Sequence, residues 1–182
     1  VLLYTPIEIL IPGFVLYQVS LQQLNTIELT GLLFSVGIIT TGGIGISSAH
    51  ELLHKRTFIE QFASKILLSV TCFGHYFIDH PRGHHVKVAT PEDPVSARFN
   101  ESIYHYYPRA LIGSFISAWK LEQQRLKTFK LSPWSLRNQF WWIIFAPLAI
   151  VAGVYLILGQ LAALFFVGQA IVAFSILTVV DY

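Results

Sequence analysis

The sequence predicts an all-α membrane protein: two transmembrane helical hairpins flanking a cytoplasmic, partly interfacial helical segment that carries histidine boxes. Three observations predict it. Apolar residues make up 54% of the chain and charged residues 12%, where a soluble domain has about 45–50% and about 25%. Four apolar stretches have the length of a spanning helix, about 20 residues. Six of the seven histidines fall between positions 50 and 85, beginning where the second stretch ends.

The expected spans are 1–21, 27–49, 140–158 and 161–180, within a single membrane-embedded domain covering 1–182. The first contains Glu8 and is interrupted by Pro6 and Pro12. Short connections at 22–26 and 159–160 make each pair an antiparallel helical hairpin. Within the second, Gly42-Gly43-Ile44-Gly45 fails the spacing of a dinucleotide-binding loop and instead lets helices approach closely. Trp141 and Trp142 open the third span as an interfacial aromatic belt, and Pro147 is expected to kink it.

The middle segment, 50–139, is treated separately. Its apolar run 66–77 is too short to cross a hydrocarbon core about 30 Å thick, so 62–78 is read as an interfacial or buried helix that returns the chain to the first histidines. Thr90-Pro91-Glu92-Asp93 has the form of a helix start, a capping threonine followed by proline and acids, and Ser132-Pro133 repeats the signal. Ile112, Phe115, Ile116 and Trp119 recur at helical spacing, which fits either a helix on the bilayer surface or one packed on a core.

Charge orients the segment. All twelve Lys and Arg lie between Lys55 and Arg137, against seven acids from Glu51 to Glu122, a surplus of five positive charges. Basic loops mark the cytoplasmic side, so parity places residue 1, the segment 50–139 and Asp181 there. The chain contains no methionine and starts inside an apolar stretch, as expected of an internal piece of a longer protein. Its single cysteine, Cys72, excludes an internal disulfide and a four-cysteine metal site. No nucleic-acid partner is expected.

The histidines carry the chemistry. His50-Glu-Leu-Leu-His54 places two imidazoles four residues apart, on one helix face. His80-Pro-Arg-Gly-His84-His85 repeats the spacing and adds a third ring about 100° further round. One tetrahedral ion takes about four ligands, so His50, His54, His80, His84 and His85 lean toward two ions. Imidazole suits zinc, copper, iron or nickel. Ligating histidines donate their other N–H to a carboxylate. Glu51 and Asp79 are the candidates for that role, and Glu92, Asp93 and Glu101 also lie nearby in sequence. His75 and His105 are left outside the ligand set. The first motif also satisfies the zinc-protease pattern, with Glu51 as general base. The second cluster would saturate such a zinc and leave no position for water. A metal transporter would carry its ligands along the spans, where these histidines do not lie.

His50-Glu-Leu-Leu-His54-Lys55, Asp79-His80-Pro-Arg-Gly-His84-His85, Val88-Ala-Thr-Pro-Glu-Asp-Pro-Val-Ser-Ala-Arg98, Glu101-Ser-Ile-Tyr104 and Ala118-Trp-Lys-Leu-Glu-Gln-Gln-Arg125 together resemble the first two histidine boxes and following loop of the integral-membrane alkane 1-monooxygenases, relatives of the membrane fatty-acid desaturases. The resemblance runs from about residue 27 to the end. It implies a non-haem enzyme with two iron ions that inserts one atom of O2 into the terminal methyl of a medium-chain or long-chain n-alkane. Its electrons would come from rubredoxin and an NADH-dependent rubredoxin reductase. It also implies a multi-pass location in the cell inner membrane if the source is bacterial, with the metal site on the cytoplasmic face, and the five histidines as iron ligands. Alkylbenzene hydroxylation and lipid desaturation are the neighbouring activities. The family usually has glutamate where this chain has Asp79, and its later motifs, a His-Tyr-Gly sequence and a third histidine box, are not in this chain. Asp181-Tyr182 aligns with the start of the former.

Overall fold

A computed structural model describes all 182 residues, and every regular element in it is helical. Four helices are long and apolar enough to cross a membrane: α1 (Leu2–Ser20), α2 (Thr26–Leu53), α6 (Phe140–Leu158) and α7 (Gln160–Val180). Between α2 and α6 lie α3 (Phe58–Val70), α4 (76–87) and the 26-residue α5 (Ile103–Thr128). The protein is therefore an all-α membrane protein. Many apolar side chains of the four long helices point outward, Ile27, Leu156 and Ile157 among them, as a hydrocarbon solvent allows.

Local chemistry sets the ends of these helices. Asn25 caps α2 by accepting from the Ile27 and Glu28 amides at 2.9 and 3.0 Å, while Glu28 accepts the Asn25 amide at 2.9 Å, a reciprocal capping box. Gly159, at φ 88°, supplies the turn between α6 and α7 that a side chain would strain. Ser48 on α2 donates to the buried Glu8 carboxylate at 2.7 Å, tying α1 to the histidine-bearing end of α2.

From Val36 to Ile46, α2 runs as a π-helix. This stretch packs closely on α7. A Cβ on Gly37 would lie 2.7 Å from the Val172 Cβ, and one on Gly42 would lie 3.2 Å from the Ala173 Cα. The small residues thus permit near backbone contact. Gln169 of α7 cross-links the layer, with Thr41 Oγ1 donating to its Oε1 at 2.6 Å and its Nε2 donating to the Val70 carbonyl at 3.0 Å.

Three expectations for the middle segment change, one of them at Ser132-Pro133, which opens a run of turns ahead of α6 rather than a helix. The single helix over 62–78 is two helices, because the chain turns at 71–75: Cys72 takes φ 54°, and the Phe73 amide closes back on the Leu68 carbonyl at 2.9 Å. Gly74 sits on the Trp142 ring, where an added Cβ would meet Cζ3 at 3.0 Å. The helix start at Thr90 is instead a run of turns. Pro94 follows Pro91 too closely for an amide ladder to form, and Asp93 spends its carboxylate elsewhere.

On α5 the buried stripe is Tyr106, Ala110, Ser114, Ala118, Glu122 and Leu126, spaced every four residues. Ile112 and Ile116 are exposed, whereas Trp119 and the partly exposed Phe115 of the expected apolar set meet Phe140 edge-on, with ring centres 5.0 and 5.4 Å apart. Small residues let α5 lie close against its neighbours. Glu122 is fully buried, paired with Arg125 at 2.6 Å and accepting the Gln139 amide at 2.7 Å. This contact pins the start of α6 to α5. Beneath the histidines, Ala49, Leu52, Leu53, Leu67, Leu68 and Ile78 form the core that fixes α2, α3 and α4 relative to one another.

Candidate metal centre

His50 lies in the last turn of α2 and His54 immediately after it, so both rings project from the same end of one helix. Their Nε2 atoms are 3.3 Å apart. His80, His84 and His85 come from α4, which adopts π geometry from His80 to His84. The His85 amide bonds to the His80 carbonyl, an i→i+5 link that lays residues five apart over one another. The result is that His80 pairs with His85, Nε2 to Nε2 at 2.8 Å, rather than with His84 as four-residue spacing predicts. Pro81 contributes by removing an amide donor from the first turn.

The two helices bring their rings together. His50 and His80 have ring centres 4.6 Å apart, His54 and His85 5.0 Å, and His54 and His80 5.6 Å. One nitrogen from each of His50, His54, His80 and His85 falls within 4.8 Å of all the others. Nitrogens on opposite sides of a single ion stand about 4.2 Å apart, twice a bond of about 2.1 Å. The set therefore fits one ion after small ring rotations, or ions shared between its two halves. Four imidazole nitrogens gathered this closely form a candidate metal site. Burial, followed by the neighbouring His50, His85, His84 and His54, pushes the His80 pKa down to about 3. The ring is thus held in the neutral form that metal ligation requires.

His84 stands apart from those four. Its ring lies 5.4 Å from His80 and 5.9 Å from His85, and its Nδ1 is 2.8 Å from Asp93 Oδ2. Asp93 is 1% exposed and also accepts from Ser96 Oγ at 2.6 Å. The carboxylate fixes which ring nitrogen of His84 carries the proton and leaves Nε2 free. Arg109 secures the loop that presents Asp93. It donates to the Pro94 carbonyl at 2.7 Å and the Ser96 carbonyl at 3.1 Å, and grips both Glu101 oxygens.

The two carboxylates singled out in sequence sit differently. Glu51 is exposed and forms an ion pair with Lys55 at 2.6 Å rather than a hydrogen bond to a histidine ring. Asp79 is 3% exposed, and its Oδ1 has no hydrogen-bond partner. Burial raises its pKa to about 6. It lines a small enclosed cavity of about 20 Å³ with His75, His80, His84, Ser114 and Asp181, room for about one water. Burial likewise raises the Asp181 pKa. Glu92 is exposed, and His105 is exposed beside Ser102 at 3.2 Å. Sequence spacing gave no reason to single out Asp93 from its neighbours, and the one local signal was Pro94 forcing a turn directly after it. Tyr76, stacked on His80 with ring centres 4.4 Å apart, was not identified.

His75 sits behind the cluster, 7% exposed, with Nε2 3.1 Å from Ser114 Oγ. Burial lowers its pKa from the ordinary 6.5 to about 4. Between those values the unfolded chain takes up a proton that the folded chain refuses. Stability therefore falls as pH drops through that window, by up to about 1.4 kcal/mol per pH unit. Metal-free protein in detergent should lose melting temperature from pH 7 to pH 5, and His75→Gln should lose measurably less. Equal losses in the two proteins would assign the slope to other groups.

The profile of the fatty acid desaturase family matches residues 27–182. The chain belongs to the fatty acid desaturase family. Among curated proteins it is similar to alkane 1-monooxygenase 2 of Pseudomonas aeruginosa, 42% identical over 153 residues that make up 84% of this chain and 40% of that protein. It is 37% identical to alkane 1-monooxygenase 1 of Alcanivorax borkumensis, over 81% of this chain and 36% of that one. Similarity to the hydroxylase component of a Pseudomonas putida xylene/toluene monooxygenase is 24%, over 99% of this chain and 49% of that one. The chain thus spans less than half the length of these relatives, and both of its histidine groups lie inside the desaturase-family match.

Proposed function

We propose that the protein is a non-haem di-iron monooxygenase that hydroxylates the terminal methyl of medium-chain to long-chain n-alkanes. The observation that carries this reading is the convergence of His50, His54, His80 and His85 from two helices on one point beside the membrane. The names of the most similar relatives support the reaction. An all-imidazole donor set with no thiolate is compatible with iron, and His50, His54, His80, His84 and His85 would hold it. Bound iron would activate O2, chemistry that no side chain performs unaided.

The balanced reaction consumes the alkane, O2, two electrons and two protons, and yields the primary alcohol and water. Asp93 orients His84, and the Leu52, Leu68 and Ile78 core keeps α2 and α4 in register. The neutral His80 ring keeps an unprotonated nitrogen at physiological pH. Rubredoxin, reduced by its NADH-dependent reductase, would supply electrons from the cytoplasm. The basic surface between Lys55 and Arg137 favours encounter with an acidic carrier, in a salt-dependent way. The zinc-protease reading loses support because the Glu51 carboxylate is taken up by Lys55. Methyl-arene hydroxylation keeps some, through the xylene/toluene relative.

The test is metal content together with product formation by the complete protein in membranes, with rubredoxin and reductase supplied and octane, hexadecane and p-xylene offered separately. About two iron ions per chain and 1-alcohols from the alkanes are expected, both reduced in His84→Ala. Benzylic alcohol alone would move the substrate to alkylbenzenes. One zinc, no iron and peptide cleavage would overturn the proposal.

A further inference from the structure

An open apolar cavity of about 380 Å³ lies between α5 and the nearby ends of α6 and α7, lined by Cys72, Phe73, Leu111, Phe115, Ile143 and Phe174. Its only polar ring, His75, is already engaged with Ser114. A polar ligand would therefore find nothing to bond. The mouth is formed by Ile112, Phe115 and Ile144, which are 62%, 42% and 38% exposed. Ile144 stands two residues beyond Trp142, at the end of α6 that meets the histidine segment, so the mouth opens at the membrane boundary. Hydrocarbon is the chemistry such a site accepts.

The inner wall of this cavity is one side chain thick. Phe73, His75 and Leu111 line it and also line the small enclosed cavity that holds Asp79, His80 and His84. Phe73 is 6% exposed, stacked on Phe174 at 5.7 Å, edge-on to His75 at 4.4 Å and tilted against Tyr76 at 5.7 Å. Tyr76 in turn lies on His80. A chain entering from the membrane meets Phe73 immediately before the histidines.

We propose that this cavity takes the hydrocarbon chain and that Phe73 sets how far its end advances toward the histidine cluster, and hence which carbon is presented. The inference rests on the hydroxylase reading above and adds to it the route and the residue that fixes depth. With Phe73 in place, only a group about the size of a methyl fits past the wall, since the space beyond is about 20 Å³. Truncation to alanine joins the two cavities and lets the second and third carbons reach the same position.

Two measurements on the complete protein test it. A diazirine-bearing alkane photolysed with metal-free protein in membranes should label Ile112, Phe115 or Ile144, with excess hexadecane competing. Ile144→Trp, a change at a partly exposed position, should cut that labelling several-fold, and in Phe73→Ala the label should extend to Ala110 or Thr178, which line only the inner cavity. In turnover, Phe73→Ala should lower the ratio of 1-octanol to 2-octanol by about tenfold or more, the discrimination one methylene commonly commands. The ratio is internal to each reaction and does not depend on how much variant folds. Alcohol formed with the label outside the cavity, or labelling unchanged in Ile144→Trp, overturns this inference alone. An unchanged product ratio in Phe73→Ala overturns the depth role. Intact labelling with no alcohol from the parent protein overturns the hydroxylase reading, and the regiochemical role with it.

Discussion

His80→Ala is expected to abolish metal retention and, with it, the proposed alcohol formation in the complete protein. Among the five histidines, His80 has the most ring neighbours. It stands 4.4 Å from His85, 4.6 Å from His50, 5.4 Å from His84 and 5.6 Å from His54 by ring centres, and Tyr76 covers its face. His80 neighbours both rings of α2 and both other rings of α4, and His54–His85 is the one other histidine pair that joins the two helices. Loss of a group that merely orients a ligand costs about 10- to 100-fold in metal affinity, so loss of this ligand should cost more than about 100-fold. The metal-free fold should tolerate the change. Burial, followed by the neighbouring histidines, holds the His80 pKa down to about 3, so the ring is neutral in the metal-free protein and its removal leaves no unpaired charge. Metal content by mass spectrometry and melting in the presence of chelator separate the two effects. Glu51→Gln is the control. Its side chain pairs with Lys55 at the surface, so metal content should stay at the parent level, whereas a zinc-protease site would lose its base.

The parts of this architecture that were legible in sequence are those set by composition and short-range period. Four apolar runs announced the long helices, and two histidine groups announced that α2 and α4 bring imidazole rings to one place. What was not legible depends on departures from the regular α-helix. Four-residue spacing pairs His80 with His84, but the π turn pairs His80 with His85 and frees His84 to meet Asp93. That turn reflects Pro81, Gly83 and the packing of Asp79, none of which alters hydrophobic period. The Asp93 contact depends on a loop held from outside by Arg109 and by Tyr106, whose hydroxyl donates to the Val95 carbonyl at 3.0 Å. No local rule connects residues 84, 93 and 109. The buried face of α5 was hidden for the opposite reason, since Ala110, Ser114 and Ala118 are too small to register as an apolar stripe.

Gly83→Ala tests whether the π turn is held by packing against Asp79. The backbone at Gly83 does not need glycine for its dihedral angles, because φ is positive at only one glycine, Gly159. Space is the constraint. An alanine Cβ would lie 2.3 Å from Asp79 Oδ1 and 3.1 Å from Ser117 Oγ. Asp79 is short and 3% exposed, so it has nowhere to swing, and the strain must pass into the turn itself. Asp79 immediately precedes His80 and Gly83 immediately precedes His84, so any opening moves both rings. Overpacking of this kind costs about 1–3 kcal/mol, and metal affinity should fall with it. In an Asp79→Ala background the clash with the carboxylate is gone, and the ordinary helix preference for alanine over glycine, about 0.5–1 kcal/mol, acts in the other direction. The double-mutant cycle should therefore show Gly83→Ala destabilising the parent but neutral or stabilising beside Asp79→Ala, a coupling of at least about 1 kcal/mol. Simple additivity of the two changes, measured by chemical unfolding in detergent, would show that Asp79 does not shape the turn that aims the second histidine group.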